Sequence, residues 1–268
     1  MRTRLALAAL VAVLSVLAGV PVAASASAKL PAVRVVTFNL CGNVCRHGEV
    51  GATSGNIAYR VRKVGASVVM LQELCYTQFL GIRSRLARYG YQAEFAAASS
   101  GGHCDDDDHK HGKAFGIALI ARGVMTGKVV YRLPNAEPTS SEGRVVLAAT
   151  VRLPGRVIFA ATTHTALGAI LPVQLGAIRR WLVPLAANRP LVFGGDLNTT
   201  PQSPDLDDFY AAFNEANVDR VKPMSTFIPP PARKIDYLFG SKGFLTPVWV
   251  GRANTGYSDH YMYMGAFQ

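Results

Sequence analysis

The chain has 268 residues, 50% of them hydrophobic and 17% charged, with 28 Lys and Arg against 17 Asp and Glu for a formal charge of +11. That composition excludes a disordered polyelectrolyte and supplies enough apolar surface for one substantial core. The positive balance points away from cationic ligands and toward an anionic partner: nucleic acid, phosphorylated small molecules or an anionic membrane surface.

The first 28 residues read as a signal peptide. Arg2 and Arg4 give a positive start, Leu5 to Val20 an apolar run, and Ala26-Ser27-Ala28 a small-residue cleavage site. The run is short of the roughly 20 residues that span a bilayer, which disfavours the alternative of a retained anchor. A mature chain of one domain, residues 29–268, is expected outside the cytoplasm, monomeric and without stable membrane insertion. Removing Arg2 and Arg4 lowers its charge from +11 to +9.

A strand over Val33–Phe38 ends at Asn39, followed by a loop with Cys41 and Cys45 and a helix around Asn56 to Val64. A buried strand over Ser67–Gln72 ends at Glu73. The next helix, Thr77 to Tyr89, places Phe79, Leu80, Ile82 and Leu86 inward and Arg83, Arg85 and Arg88 outward. Ser99 to Lys113 is irregular, with Asp105 to Asp108 and His103, His109 and His111, a solvated loop or a weak cation site. Strands follow at Phe115–Ala121, Lys128–Leu133, Arg144–Leu153 and Arg156–Thr163, the last closed by His164.

An amphipathic helix spans Leu171 to Ala187, and a strand at Leu191–Phe193 leads into Gly194-Gly195-Asp196-Leu197-Asn198, where the glycines are expected to turn the chain. A helix near Leu206 to Ala216, a rigid Ile228-Pro229-Pro230-Pro231 loop, a strand over Lys234–Phe239 carrying Asp236, and strands at Pro247–Val250 and Tyr261–Phe267 complete the chain. Trp181 and Trp249 sit alone in regular elements and are expected in the core. In an exported chain the four cysteines suggest two disulfides rather than a zinc site, whose close-spaced pairs are missing. Three pairings are open. Cys41–Cys45 with Cys75–Cys104 is the expected one, since each bond would brace a loop beside a candidate catalytic residue.

One event repeats: an apolar strand ends and a polar residue of catalytic type appears. Asn39, Glu73, His164, Asp196 with Asn198, Asp236, and Asp259 with His260 all follow it. Hydrolysis of a phosphodiester needs an activated water, charge neutralisation on the phosphoryl oxygens and help for the leaving oxygen, which these groups can supply. Asp196 suits the water, Asn198 and His164 the phosphoryl oxygens, and Asp236 the orientation of His260.

The blocks Thr37-Phe38-Asn39, Leu71-Gln72-Glu73, Thr163-His164, Gly195-Asp196-Leu197-Asn198, Lys234-Ile235-Asp236-Tyr237 and Ser258-Asp259-His260 resemble, in order, those of the endonuclease/exonuclease/phosphatase superfamily with the DNase I-like fold. The resemblance implies a four-layer α/β sandwich of two packed mixed β-sheets flanked by helices. It implies a metal held chiefly by Glu73, with Asn39 and Asp259, Mg²⁺ first and Mn²⁺ or Ca²⁺ as alternatives. It implies a secreted metal-dependent phosphodiesterase, nucleic acid the leading substrate; a lipid phosphodiesterase, a phosphatase or a non-catalytic binding component on the same fold are the alternatives. Arg144 resembles the family's phosphate-side arginine, or is a surface strand residue. Two features depart from the DNase I pattern: Cys75 stands where an arginine follows the metal-binding glutamate, and Phe115 to Ala121 carries no acid to pair with His164.

Overall fold

The computed structural model describes residues 30–105, 110–135 and 143–268. The expected signal peptide, three aspartates of the acidic run, His109 and Glu142 lie outside them. The chain order is β1 (Val33–Asn39), α1 (Gly51–Lys63), β2 (Val68–Cys75), α2 (Tyr76–Ala87), β3 (Gln92–Ser100), β4 (Ala114–Ala121), β5 (Val124–Arg132), β6 (Val145–Leu153) and β7 (Arg156–His164). Then come α3 (Leu171–Ala186), β8 (Leu191–Asp196), α4 (Asp207–Ala212), β9 (Phe213–Glu215), β10 (Asp236–Ser241), β11 (Pro247–Ala253) and β12 (Met262–Phe267).

The strands form two six-stranded mixed sheets, ordered β11-β12-β1-β2-β4-β3 and β5-β6-β7-β8-β10-β9. Their inner faces meet through Val35, Met70, Leu119, Leu147, Val192 and Leu238. Ile57, Val61, Phe79 and Ile82 pack α1 and α2 on the outside of the first sheet. Leu175, Ile178, Leu182 and Phe209 pack α3 and α4 on the outside of the second. This is the four-layer sandwich expected from the sequence. Among the described residues no helix is long and apolar enough to cross a membrane.

Each sheet holds one parallel pair at its centre, β1 with β2 and β7 with β8. Parallel neighbours end at the same edge. Asn39, Glu73, His164 and Asp196 therefore emerge together, and the antiparallel β10 begins there with Asp236 opposite Asp196. A buried bond ties the sheets beneath that edge: Gln72 Nε2 on β2 donates to Thr162 Oγ1 on β7 at 3.0 Å.

Several elements differ from the sequence reading. Helix α1 begins five residues early because the Glu49 carboxylate accepts the N–H groups of Ala52 (2.6 Å) and Thr53 (2.8 Å), satisfying donors of its first turn. Strand β3 was not expected, since its Ala and Ser residues carry weak strand preference; pairing with β4 sets it. The helix expected to reach Ala216 stops at Ala212, and the chain continues as β9 along β10. Gly194 and Gly195 do not turn the chain: they lie within β8. A Cβ on Gly195 would stand 2.0 Å from the Thr163 carbonyl oxygen, so the glycine is required by close approach of β7 and by its φ of 142°. Trp181 packs against the outer core, but Trp249 on the edge strand β11 is half exposed, a correction to its expected burial.

Both expected disulfides are present, Cys41–Cys45 and Cys75–Cys104. The second joins buried sulfurs 29 residues apart, and its loop-closure entropy corresponds to about 3–4 kcal/mol. Replacing Cys75 and Cys104 together by Ser should lower the unfolding free energy in a urea titration by about that amount. Replacing the short Cys41–Cys45 bridge should cost roughly 1–2 kcal/mol less.

Candidate active site

Asp196 is the centre. It is buried, its Oδ1 accepts the Asn198 N–H at 2.9 Å, and its Oδ2 accepts from Asn39 Nδ2 at 3.1 Å. Two imidazoles flank the same Oδ2, His164 Nε2 at 3.5 Å and His260 Nε2 at 3.6 Å. Burial raises its pKa, Asp236 adds to the rise and His260 opposes it, leaving the group at about 7. The Asn198-to-Asp196 bond closes an Asx-turn, with Asn198 at a φ of 50°.

His260 is held from the other side. Its Nδ1 donates to Asp236 Oδ2 at 2.8 Å. Burial alone would lower its pKa, but the Asp236 carboxylate, with Asp196 and Asp259, outweighs that and lifts it to about 10. Both ring nitrogens then carry protons, one on Asp236 and one facing Asp196. Asp236 is fixed in turn by Thr226, whose Oγ1 accepts its N–H at 2.9 Å, and by Lys234, whose Nζ donates to its carbonyl at 3.0 Å. Lys234 is wholly buried, paired with Glu215 at 3.1 Å and 3.9 Å from the Tyr263 ring centroid. In the sequence Lys234 stands in the matching block that holds Asp236, but nothing there assigns a role to Glu215 or pairs the two. The signal available was a lysine at the head of the strand expected over Lys234–Phe239, where burial would require a partner for its charge.

His164 behaves differently. Arg144 Nη1 lies 2.8 Å from its Nδ1. An arginine always donates, so Nδ1 is the acceptor and the single proton of the neutral ring sits on Nε2. Burial, Arg144 and His260, in that order, hold its pKa well below the ordinary value. Asn198 Nδ2 is 3.1 Å from Nε2 and donates to the Thr165 carbonyl at 2.8 Å. Two N–H groups thus converge where an oxygen could accept from both. The missing acid in Phe115 to Ala121 is explained: the partner of His164 is a cation.

Glu73 sits in a bulge of β2 at a φ of 55°, partly exposed, its Oε1 accepting from Asn39 Nδ2 at 2.8 Å. Burial raises its pKa, and the charge of nearby Asp259 acts in the same direction. Glu73 and Asp259 are near enough for their charges to interact, and paired carboxylate oxygens suit a hard divalent cation. Asn39 turns its nitrogen to Glu73 and Asp196, because its Oδ1 accepts the Cys41 N–H at 2.9 Å. Asp196, Asp236 and His260 also bring candidate ligand atoms within 4.8 Å of one another, a set that could take a cation only with His260 deprotonated. Cys41 and Cys45 lie as close to Asp259, but their sulfurs are joined to each other and offer no thiolate.

Residues 36–260 match the Endonuclease/Exonuclease/phosphatase family. The chain belongs to this family. It is a phosphoesterase, built on a buried cluster of acids and histidines. No curated protein matches it by sequence. Among solved structures it is similar to the human nocturnin catalytic domain with bound sulfate, at 21% identity and a TM-score of 0.71 over 89% of this chain and 93% of that one. It is similar to an endonuclease/exonuclease/phosphatase from Beutenbergia cavernae, at 22% identity and a TM-score of 0.69 over 89% of this chain and 72% of that one. A mannosyl-6-phosphatase from Bacteroides thetaiotaomicron shares 16% identity at a TM-score of 0.66, covering 88% and 99% of the two chains.

The His260–Asp236 pair gives a direct test. His260 is raised relative to an unfolded histidine, so its pairing stabilises the fold fully below the ordinary histidine pKa, and that stability is lost as pH rises through about 10. In NMR titration its imidazole should stay protonated from pH 6 to 9. In Asp236→Asn it should titrate at or below the ordinary histidine value, about 6.5. A wild-type midpoint near 6.5 would contradict the ion pair.

Proposed function

We propose that the chain is a secreted, divalent-metal-dependent phosphodiesterase that hydrolyses nucleic acid. The observation that carries the reading is Asp196: a buried carboxylate of near-neutral pKa between a neutral and a charged imidazole, beside two acids suited to a cation.

In this reading Asp196 orients the attacking water and takes its proton, a task suited to a base that titrates near 7. His164 Nε2–H and Asn198 Nδ2–H donate to the phosphoryl oxygens, whose charge grows in the transition state. Arg144 keeps the proton of His164 on the atom that faces the substrate. The His260 imidazolium, locked by Asp236, balances negative charge and holds Asp196 ionised more of the time than burial alone would allow. A divalent cation held by Glu73 and Asp259, Mg²⁺ by preference, would neutralise phosphoryl charge and assist the leaving oxygen.

Two features support nucleic acid as the substrate. The mature charge of +9 favours a polyanion, and a cleft of about 430 Å³ opens beside Asp259. Arg46 lies over the Tyr257 ring at 4.6 Å in that cleft, which Pro229 and Pro230 also line, a setting for a base or sugar and its adjoining phosphate. Secretion is supported by the N-terminal pattern of Arg2, Arg4, the apolar run and Ala26-Ser27-Ala28.

The experiment is an incubation with plasmid DNA, RNA, sphingomyelin and p-nitrophenyl phosphate, with Mg²⁺ and with EDTA. Nucleic acid should be cleaved in Mg²⁺ only, and His164→Ala and Asp196→Ala should lower kcat by about 10²–10⁴. Equal turnover in EDTA would remove the metal, and turnover of the monoester or lipid alone would remove the nuclease.

A further inference from the structure

The edge of the sheets opposite the active site carries a feature that phosphoester chemistry does not use. Two clefts of about 460 and 540 Å³ meet there, sharing Gly65 and Arg122. The length of β1, Val33–Asn39, separates them from Asn39, about 20 Å at roughly 3.3 Å per residue step.

The charge around these clefts has one sign. The segments that build them, 30–34, 59–67, 88–91, 121–123 and 152–156, contain seven arginines, one lysine and no Asp or Glu. Arg34, Arg62, Lys63 and Arg122 are exposed, and no ion pair among the described residues involves them. Both Arg122 and Arg62 act on the buried Tyr91 phenol, pulling against the rise that burial gives its pKa, so the two guanidinium groups converge on one wall. Helix α1 ends at this point with its basic last turn.

The clefts are shaped as well as charged. Gly65 turns the chain at a φ of 59°, and a Cβ there would stand 3.3 Å from Arg34 Nη1, which donates to the Val64 carbonyl at 3.0 Å. Its lack of a side chain leaves the shared floor open. Arg62 stacks 4.0 Å over Tyr89, and Tyr59, 58% exposed, stands beside Lys63.

We propose that this basic double cleft is a second, non-catalytic binding site for a single-stranded nucleic acid, held by its phosphodiester backbone. Guanidinium forks match phosphate oxygens in pairs, and the exposed Tyr59 ring offers a stacking face to an unpaired base. A bilayer is flat and would meet the rims of the clefts, leaving Gly65 and the floor unused. Bound there, a strand stays near the enzyme while another part of it occupies the distant catalytic edge, which raises its local concentration without any new catalytic contact.

The test needs no turnover and so stands apart from the nuclease reading. Binding of a fluorescein-labelled oligothymidylate of roughly 20 nucleotides is followed by anisotropy in EDTA, across a salt series. Arg62→Glu with Arg122→Glu should weaken binding at least tenfold near 0.1 M salt and reduce the slope of log affinity against log salt by about 1.4, two lost phosphate contacts at 0.7 each. Arg122→Gln alone should give a smaller loss in the same direction, and the thermal melts should be unchanged because both side chains are exposed. A control with the same charge change, Lys222→Glu with Lys242→Glu, should weaken binding far less. The proposal is overturned if the control loses as much, or if oligothymidylate binding is unaltered. It is equally overturned if the double variant loses only its affinity for phosphatidylglycerol vesicles, which would give the cleft to a membrane.

Discussion

A carboxylate without water is the constraint on which this molecule depends. Asp196 is 1% exposed, and a lone buried charge would cost several kcal/mol. Its compensation arrives from four separate parts of the chain: an amide nitrogen on β1, the backbone N–H of Asn198, one neutral imidazole at the end of β7 and one charged imidazole ahead of β12. None is close to another in sequence. The site exists only while both sheets hold their edges level, so catalysis and folding share the same requirement.

The topology meets that requirement with little adjustable geometry. Two parallel pairs at the sheet centres put four strand ends on one edge, and register places His164 and Asp236 on either side of Asp196. What remains to be aimed is local, and it is aimed by strained backbone. Glu73 and Asn198 both adopt positive φ, one in a bulge and one in an Asx-turn. Such conformations persist where the surroundings over-determine them. Asn39 does so for Glu73, donating to its carboxylate from a nitrogen whose orientation the Cys41 N–H fixes through Oδ1, while Asp196 Oδ1 and the Thr165 carbonyl hold Asn198.

The polar residues were legible because each marks the end of an apolar run, a pattern that survives without knowledge of pairing. Their convergence was legible only through the order of the blocks. Strand β3 was not, since its small residues have no preference of their own and depend on β4. The Lys234–Glu215 pair was hidden for another reason: it acts on the site only through the Asp236 backbone, and its partners stand 19 positions apart across irregular chain. Gly194 and Gly195 were expected to turn the chain and instead lie within β8. Glycine reports close approach and unusual φ alike, and a sequence does not say which. Trp249 shows the complementary limit, since a lone tryptophan in a strand says nothing of whether that strand is an edge.

Arg144 alters how protons are shared in the site. A histidine paired with an acid is charged and can act as a proton donor that must be refilled; a histidine paired with an arginine is neutral and keeps its proton. In the proposed reaction His164 therefore serves as a fixed hydrogen-bond donor. His260, with a pKa raised to about 10 by Asp236, gives up its proton reluctantly and remains a cation at neutral pH. Of the three groups that meet at Asp196 Oδ2, only the carboxylate itself titrates near neutrality. The two imidazoles thus divide their work by partner, one donating without charge and the other supplying charge, and the single movable proton falls to the residue between them.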